Sequence, residues 1–443
     1  MSTTSARHYM EAASPRVPEL HLISSDNANH VFLADGSRLF EVNDALFAGL
    51  AEAMAEQGAS LLPGLLASAG LSAAPYIDDT PLDAPAVHAL SLAVAQKCNL
   101  GCSYCYAQQG EFGGKPKDMP LETALAAIDM LTAGAPEGAR INLAFLGGEP
   151  LANRAVLKAA TQHARNSAER RGQTVTFSIT TNGTLVEAAD ADFFEAHGFA
   201  VTISLDGTRD VHDALRPYRS GRGSFDAILR RLTPLLSAQR RMQVSARVTV
   251  TPRNLGLRET LDTFLDLGFH SVGFSPMLAS PTGKEEMSAA GLEVMLEEMI
   301  GCGQEFERRV GRGERYAFAN MTNALREIRR GTHRPYPCGA GAGYLGVSAE
   351  GELSACHRFV GDEAGAMGNL ASGIDTERRS RWLAERHVHR QEPCNTCWAR
   401  YLCGGGCHHE VIRRGRPACD YIRGWLQYCI EAYLRLPAGA GLG

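Results

Sequence analysis

Three cysteines stand close together after the first fifth of the chain, and their spacing suits metal ligation. Cys98 and Cys102 are separated by three residues, and Cys102 and Cys105 by two. Three thiolates on one short loop can hold three irons of a [4Fe–4S] cluster and leave the fourth iron without a protein ligand. Such an iron is open to a substrate or a cofactor. Zinc coordination is the competing use of cysteines this close together.

A second group of cysteines lies in the last quarter of the chain. The pairs Cys394/Cys397, Cys397/Cys403 and Cys403/Cys407 are separated by two, five and three residues. In a reducing compartment structural disulfides are rare, so ligation of a metal or a cluster is the expected use of grouped cysteines. Zinc ribbons are the competing use here. The whole group is Cys338, Cys356, Cys394, Cys397, Cys403, Cys407, Cys419 and Cys429.

The composition limits the classes of protein and partner. Of the 443 residues, 44% are apolar and 21% charged, which predicts a large core divided into two or three domains. The formal net charge of −5 offers no broad basic surface, so nucleic acid is not an expected partner. No apolar run approaches the ~18–20 residues that span a bilayer, and the N-terminus lacks a hydrophobic signal core. We therefore expect a cytoplasmic protein without a membrane partner.

Short apolar strands alternate with helical stretches between residues 87 and 277. This pattern predicts six parallel strands with crossover helices, which is an α/β fold. In barrels of this kind the chemistry sits in the loops that follow the strands. The first such loop carries the cysteine triplet. The predicted strands are 89–95, 141–145, 175–180, 200–204, 244–249 and 271–274.

The next three strands are followed by small, polar and charged residues. Glycines let a backbone approach a ligand closely, and a carboxylate beside them can accept a hydrogen bond from an ammonium group. Small polar side chains at strand ends can hydrogen-bond a ribose or a carboxylate. The residues are Gly147, Gly148 and Glu149 after the second strand, Thr181 and Asn182 after the third, and Ser204, Asp206 and Arg216 after the fourth.

The order of these motifs resembles that of the radical S-adenosylmethionine (radical SAM) enzymes over residues 87 to 433. The resemblance implies a partial (β/α)6 barrel in which the cysteine triplet carries a [4Fe–4S] cluster. S-Adenosylmethionine would bind the open iron through its amino and carboxylate groups. Electron transfer would then cleave the sulfonium and release a 5′-deoxyadenosyl radical. A low-potential flavodoxin or ferredoxin is the implied electron donor.

The resemblance also implies roles for the loop residues. Arg216 would bind the carboxylate of the cofactor or that of a substrate, since a guanidinium suits both. Asp206 would accept a proton on the substrate side, and the alternative is that it only forms a turn with Gly207. The residues implied to bind the cofactor are Gly147, Gly148 and Glu149 at the methionine amino group, with Thr181, Asn182 and Ser204 at its other polar groups.

The C-terminal cysteines resemble the SPASM extension, which carries auxiliary clusters in radical enzymes that modify peptides and proteins. Two auxiliary [4Fe–4S] clusters are implied, which makes three clusters in total. The inner cluster is one ligand short, so either Cys429 completes it or an iron is open to a substrate thiolate. An ordinary buried thiol is equally reasonable for Cys429. The implied ligands are Cys394, Cys397, Cys403 and Cys419 for the outer cluster, and Cys338, Cys356 and Cys407 for the inner one.

Three short predicted strands followed by helices precede residue 70. This segment resembles the winged-helix-like module with which peptide-modifying enzymes recognise a leader peptide. Such a module adds an extended peptide to the edge of its sheet. An N-terminal cap that binds nothing is the alternative. We predict three domains, namely this module at 1–80, the barrel at 86–310 and the SPASM domain at 311–443.

Among SPASM proteins, the segments 110–114, 357–363 and 403–410 look most like the maturases of quinohemoprotein amine dehydrogenase. These enzymes join cysteine sulfurs to methylene carbons of Asp and Glu. The resemblance implies thioether crosslinks within a cysteine-containing precursor peptide or small protein subunit. Two alternatives stay open. One is another radical modification, by carbon–carbon or carbon–oxygen crosslinking or by formylglycine formation in sulfatases. The other is a non-enzymatic electron-transfer or scaffold protein with Fe–S clusters.

Overall fold

The computed structural model describes residues 5–12, 19–25, 28–55, 60–71, 77, 79–83, 85–437 and 439. The chain divides into two compact units, each built from separate segments. The first unit combines Met1–Pro81, Ser288–Cys338 and Ala384–Gly443, and the second combines Leu82–Met287 and Gly339–Leu383. The boundaries of these units differ from those of the three predicted domains, because residues 339–383 group with the parallel sheet.

The N-terminal segment of the first unit is a small antiparallel sheet with helices around it. Leu20, Val31 and Leu33 of the strands pack with Leu50 and Leu66 of the helices to form its core. The strands pair in chain order. They lie where the alternating sequence predicts them. The elements are α1 (Ala6–Ala12), β1 (Leu20–Ser24), β2 (Asn29–Leu33), β3 (Arg38–Val42), α2 (Asp44–Ala55) and α3 (Leu62–Ser68).

The second unit is dominated by a mainly parallel sheet with helices between successive strands. The first of its strands is buried along nearly its whole length, which is typical of a parallel strand covered on both faces. The six predicted strands are all present, and a two-residue strand, β5, pairs with the first. The strands are β4 (Ala89–Gln96), β5 (Lys117–Asp118), β6 (Arg140–Gly147), β7 (Thr174–Thr181), β8 (Ala200–Ser204), β9 (Gln243–Val250) and β10 (Ser271–Pro276).

The crossover helices confirm the predicted strand–helix alternation. Glu187 and Asp190 form a capping box at the start of one helix, where each side chain accepts a hydrogen bond from the other's backbone. A short helix after β8 was not predicted. The helices are α4 (Leu121–Gly134), α5 (Arg154–Arg170), α6 (Ala188–His197), α7 (Arg209–Leu215), α8 (Phe225–Ser237) and α9 (Leu257–Asp266).

A later part of the chain extends the same sheet. The strand β11 (Tyr344–Val347) pairs in parallel with β4, on the side opposite β6. Three antiparallel strands follow it outward. The sequence analysis did not predict this seventh parallel strand, which is only four residues long. The outer strands are β12 (Glu352–Ser354), β13 (Ala366–Asn369) and β14 (Gly373–Ile374).

The remaining helices lie mostly in the first unit. The longest of them packs closely on the C-terminal helix, because a Cβ added to Gly303 would lie only 2.3 Å from the Tyr428 ring. No helix among the described residues is long and apolar enough to cross a membrane. The helices are α10 (Ala289–Val310), α11 (Ala319–Arg329), α12 (Thr376–Arg386), α13 (Arg400–Cys403), α14 (His408–Arg414) and α15 (Cys419–Arg435).

Candidate active site

The cysteine triplet lies on the loop that follows β4, and its three thiols are electrostatic neighbours. The Cys98 sulfur receives the backbone N–H of Leu100 at 3.4 Å and the side-chain amide of Asn182 at 3.6 Å. Burial, together with the nearby thiol of Cys105, raises the pKa of Cys98 to about 11, and burial raises that of Cys102 to about 12. A bound metal favours thiolates in such a place. Three converging thiols are a donor set that fits an iron–sulfur cluster.

Glu149 connects the ends of two neighbouring strands. Its carboxylate is fully buried and accepts hydrogen bonds from the Leu151 N–H at 3.0 Å, the Thr181 hydroxyl at 2.7 Å and the Asn182 N–H at 2.8 Å. Burial raises the pKa of this carboxyl above its ordinary value, although the three hydrogen bonds oppose the shift. Glu149 therefore fixes the loop after β6 to the end of β7.

The polar residues after β7 also contact the cysteine loop. The Asn182 amide donates to Asn99 Oδ1 at 3.0 Å, and Asn99 in turn donates to the Thr184 hydroxyl at 2.8 Å. The same Asn182 side chain accepts from the Thr184 N–H at 2.9 Å. These contacts hold the two loops in one arrangement. Asn99 and Thr184 were not among the predicted site residues, because neither type of residue signals a site by itself.

A buried triad of Tyr104, Asp206 and Arg216 lies on the other side of the cysteine loop. The Tyr104 hydroxyl donates to Asp206 Oδ2, and Arg216 donates to the Tyr104 oxygen at 2.6 Å. The Thr249 N–H donates to Asp206 Oδ1 at 2.8 Å. Asp206 is fully buried, and both of its oxygens are engaged. Asp206 therefore connects Tyr104 of the cysteine loop with Thr249 of β9.

Arg216 brings a positive charge close to the thiols. Its charge is the leading electrostatic influence on Cys102 and is also felt at Cys98 and Glu149. Its Nε atom is buried and has no hydrogen-bond partner in the described part of the chain. An unused donor of this kind is suited to a carboxylate. Ser204 ends β8 and pairs with Arg247 of β9 through the sheet.

His212 lies behind this triad. Its Nδ1 accepts the backbone N–H of Asp206 at 3.2 Å, and its Nε2 is 3.1 Å from the Ser224 hydroxyl. Burial, with a smaller contribution from the charge of Arg216, lowers the pKa of His212 to about 3. The imidazole is therefore neutral at ordinary pH and holds the start of the loop that carries Asp206.

The segment after the cysteines has an unusual backbone. Gln108, Gln109 and Phe112 have φ values of 49°, 61° and 51°, and Gly110 and Gly113 are also in the left-handed region. Non-glycine residues rarely adopt such values, and clusters of them mark functional loops. A cavity of about 540 Å³ lies beside this segment. It is lined by residues that include Cys102, Ser103, Cys105, Gln108, Glu111 and Thr282.

Gly148 allows the strained segment to approach the strand ends. A Cβ there would lie 2.3 Å from the Lys97 oxygen and 2.7 Å from the Gly110 Cα, both of which are backbone atoms. A Cβ on Gly147 would lie 2.4 Å from the Ala95 oxygen. The two predicted glycines therefore serve close backbone packing around the cysteine loop.

Four of the C-terminal cysteines come together in the first unit. Cys394, Cys397, Cys403 and Cys419 influence one another electrostatically, and burial raises the pKa of Cys394 to about 12. The guanidinium of Arg416 also acts on Cys394 and Cys419. The structure thus brings together the four residues that the resemblance assigns to the outer auxiliary cluster.

The other C-terminal cysteines have different surroundings. Cys338 is exposed, whereas Cys356 is buried in the second unit and lies near Tyr106 of the cysteine loop. Cys407 immediately precedes α14. The thiol of Cys429 lies in the core of the first unit, 3.7 Å from the Met321 sulfur.

The comparisons with known proteins agree with this geometry. The sequence profile of the Radical SAM superfamily matches residues 92–267. This stretch is similar to the radical SAM domain, and the chain as a whole has the α/β radical SAM fold with a cysteine-rich domain at its C-terminal end. The fold implies S-adenosylmethionine and a [4Fe–4S] cluster as the reactive groups.

Proteins similar to this chain include maturation enzymes. The serine-type anaerobic sulfatase-maturating enzyme of Klebsiella aerogenes is 29% identical over 352 residues, which cover 76% of this chain and 84% of that enzyme. The structure of anSMEcpe with bound AdoMet and the Kp18Cys peptide has a TM-score of 0.64 at 18% identity and covers 78% of this chain and 98% of its own. Streptococcus suis SuiB bound to its precursor peptide SuiA has a TM-score of 0.51 at 13% identity, over 91% and 98% of the two chains.

Proposed function

We propose that this protein is a radical SAM enzyme that forms thioether crosslinks between cysteine sulfurs and carbon atoms within a ribosomally made peptide or small protein subunit. The observation that carries the radical chemistry is the convergence of Cys98, Cys102 and Cys105 beside Glu149 and Arg216. These residues offer thiols, a carboxylate and a guanidinium within one buried site.

Cys98, Cys102 and Cys105 would hold the radical SAM cluster. When bound, S-adenosylmethionine supplies a 5′-deoxyadenosyl radical that removes a hydrogen atom from the substrate. Arg216 offers its unpaired Nε–H to a carboxylate. The residues that would bind the cofactor are Gly147, Gly148, Glu149, Thr181, Asn182, Ser204 and Arg216.

Asp206 acts, in this proposal, through its neighbours. Its oxygens accept hydrogen bonds from the Tyr104 hydroxyl and the Thr249 N–H, and Arg216 Nη1 lies 3.6 Å from Oδ2 as an ion-pair partner. These partners tie the carboxylate to the residues around it. Its contribution is to hold the guanidinium of Arg216 in place beside the cysteine loop. The alternative is the proton-acceptor role that the resemblance implies for Asp206.

The proposal includes two auxiliary clusters. The mutual proximity of Cys394, Cys397, Cys403 and Cys419 supports the outer one. Cys338, Cys356 and Cys407 are proposed for the inner one on their spacing alone. The packing of Cys429 against Met321 favours the alternative in which a substrate thiolate is the remaining ligand. A sulfur held in that way would be positioned for bond formation to carbon.

The N-terminal sheet is proposed as the recognition site for a leader peptide. Among the described strands, β3 pairs with β2 alone, so its other edge has backbone groups for an added strand. SuiB, a solved structure of similar fold, is bound to a precursor peptide. A low-potential flavodoxin or ferredoxin is proposed as the electron donor, and the cytoplasm as the location.

Formylglycine formation is the second candidate function. It is favoured by the likeness to the Klebsiella aerogenes enzyme, which spans most of both chains. The two functions differ in what happens to the cysteines of the substrate. A thioether consumes a thiol and leaves no aldehyde, whereas formylglycine is an aldehyde.

The deciding experiment is anaerobic turnover of candidate peptides followed by tandem mass spectrometry. We expect the loss of a pair of hydrogen atoms per crosslink, with one thiol fewer by alkylation and no reaction with a hydrazide. Since serine oxidation to formylglycine loses the same mass, the hydrazide reaction is the essential control. A hydrazide-reactive product would establish the second candidate, and an enzyme that cannot cleave S-adenosylmethionine would refute both.

A further inference from the structure

A cluster of histidines surrounds one carboxylate in the first unit. Asp79 Oδ1 lies 3.1 Å from His387 Nε2 and 3.3 Å from His333 Nε2. Its other oxygen, Oδ2, lies 2.9 Å from His389 Nε2. Two separate parts of the chain, residue 333 and residues 387–389, therefore present ring nitrogens to a single carboxylate.

The distances match those between the ligands of one metal ion. The ligand atoms of Asp79, His387 and His389 all lie within 4.8 Å of one another. Zinc binds histidine nitrogen and carboxylate oxygen at about 2.0–2.2 Å, so neighbouring ligands of a tetrahedral site are about 3.3 Å apart. The nitrogen–oxygen distances from His387 and His389 to Asp79, 3.1 and 2.9 Å, lie close to this value.

The surroundings also suit a metal. His387 is 1% exposed and the side chain of His333 is 7% exposed. The His333 Nε2 atom is buried and makes no hydrogen bond within the described residues. Its Nδ1 lies 3.4 Å from Asp35 Oδ1, and the Tyr401 hydroxyl donates to Asp79 Oδ2 at 2.7 Å. Carboxylates and hydroxyls in these positions orient metal-binding histidines and carboxylates.

We propose that Asp79, His387 and His389 bind one divalent metal ion, with zinc as the best-fitting metal. The ligands are two imidazoles and a carboxylate, and no thiol takes part, which separates this site from the cluster cysteines. His389 is half-exposed, so the metal can enter from solvent. The ion would fix the segment that follows the N-terminal sheet to residues 387–389 of the same unit.

A metal-free hydrogen-bonded cluster is the competing arrangement. The Gly36 N–H points at His333 Nδ1 at 3.1 Å, and the His389 N–H points at His387 Nδ1 at 3.3 Å. If the second of these is a hydrogen bond, His387 Nε2 carries a proton and donates it to Asp79. Zinc binding requires the opposite tautomer of His387, with a proton on Nδ1, so the His387 ring must turn slightly.

Zinc content and X-ray absorption at the zinc edge test the proposal on the full-length protein with its clusters. The protein is purified anaerobically, titrated with zinc chloride and dialysed against a weak chelator. We expect about one zinc per chain, surrounded by nitrogen and oxygen at about 2.0–2.1 Å. Zinc that dialyses away, or zinc surrounded by sulfur at about 2.3 Å, would overturn the proposal, because the latter is a mis-loaded cysteine site.

Two variants assign the zinc to these residues. His389→Gln alters the half-exposed ligand and disturbs packing least, and Asp79→Asn removes the shared carboxylate. Both should weaken zinc binding at least about tenfold. The matched control is Asp129→Asn, which alters an exposed aspartate 2.7 Å from His163 and should leave zinc binding unchanged. Unaltered zinc content in His389→Gln would exclude the proposed site.

Discussion

The hydroxyl of Tyr104 donates a hydrogen bond to the carboxylate of Asp206, and Arg216 donates to the same hydroxyl. Tyr104 belongs to the cysteine loop, whereas Asp206 and Arg216 follow β8. The pair therefore ties the loop that carries Cys102 and Cys105 to a different strand end. Because all three side chains are buried, the contact has no competing water.

Asp206→Asn should destabilise the protein by about 3–5 kcal/mol, because Arg216 then loses its buried counter-charge. The matched control is Asp226→Asn, whose partner Arg209 is exposed and whose loss should cost less than about 1 kcal/mol. Denaturant unfolding monitored by circular dichroism measures both values. Equal effects in the two variants would mean that the triad does not hold the loop.

Glu149→Gln should weaken S-adenosylmethionine binding by at least about tenfold and lower stability by about 1–3 kcal/mol. The substitution introduces amide N–H groups. These would face the Leu151 N–H, the Thr181 hydroxyl and the Asn182 N–H, which are themselves hydrogen-bond donors. Equilibrium binding and unfolding measure the two effects. Glu363→Gln, at an exposed ion pair with Arg378, is the control expected to change neither. Wild-type affinity in Glu149→Gln would remove this residue from the cofactor site.

Cys394→Ser should lower the iron content after anaerobic reconstitution by about four atoms per chain. Cys429→Ala should leave iron unchanged, since its thiol packs against Met321. Iron and sulfide analysis measures both, with Cys302→Ala as a second buried-thiol control. A loss of iron in Cys429→Ala would restore that residue as a cluster ligand and close the position proposed for a substrate sulfur.

Gly148→Ala should destabilise the protein by about 3 kcal/mol, because the added methyl meets the Lys97 carbonyl oxygen and the Gly110 Cα, neither of which can move alone. Gly301→Ala is the control in the interior of α10, where no atom lies within 4 Å of the new methyl. That change should stabilise the protein by about 0.5–1 kcal/mol. If Gly148→Ala and Gly301→Ala shift the unfolding midpoint in the same direction, the proposed effect of the close backbone approach at Gly148 is wrong.

Stability should fall as the pH drops from 7.5 to 5.5. The pKa of His212 is about 3 in the folded protein and about 6.5 when unfolded, so the unfolded chain takes up a proton that the folded one refuses. Its contribution is complete above pH 6.5 and is lost by about 1.4 kcal/mol at pH 5.5. His212→Gln should remove this part of the slope. An unchanged slope in His212→Gln would show that His212 is not the source.

The sequence predicted the strands that carry the site because each is short, apolar and bounded by turn residues. It could not predict β11, since Tyr344 to Val347 are recognisable as a strand only once β4 is present to pair with them. For the same reason the grouping of residues 339–383 with the sheet was not anticipated. Domains predicted from the sequence are continuous along the chain, whereas strands that are far apart in the sequence can pair in the fold.

The cysteine spacings gave the ligand candidates, because thiols at these separations can reach one cluster. The surroundings of individual residues could not be predicted from the sequence. Asp206 and Cys429 each had two interpretations, and these depend on burial and partners that only the fold provides. The histidine cluster around Asp79 had no spacing signal at all, since its members lie more than 300 residues apart in places. Only folding brings them together.

The pairing of β11 with β4 has a consequence for synthesis of the chain. The strand that leads into the cysteine triplet gains its second parallel neighbour only when Tyr344 to Val347 have left the ribosome. Until then the growing chain presents an unfinished edge next to the site where iron is to be inserted. We therefore expect the iron–sulfur cluster to be inserted only after translation of the chain is nearly complete.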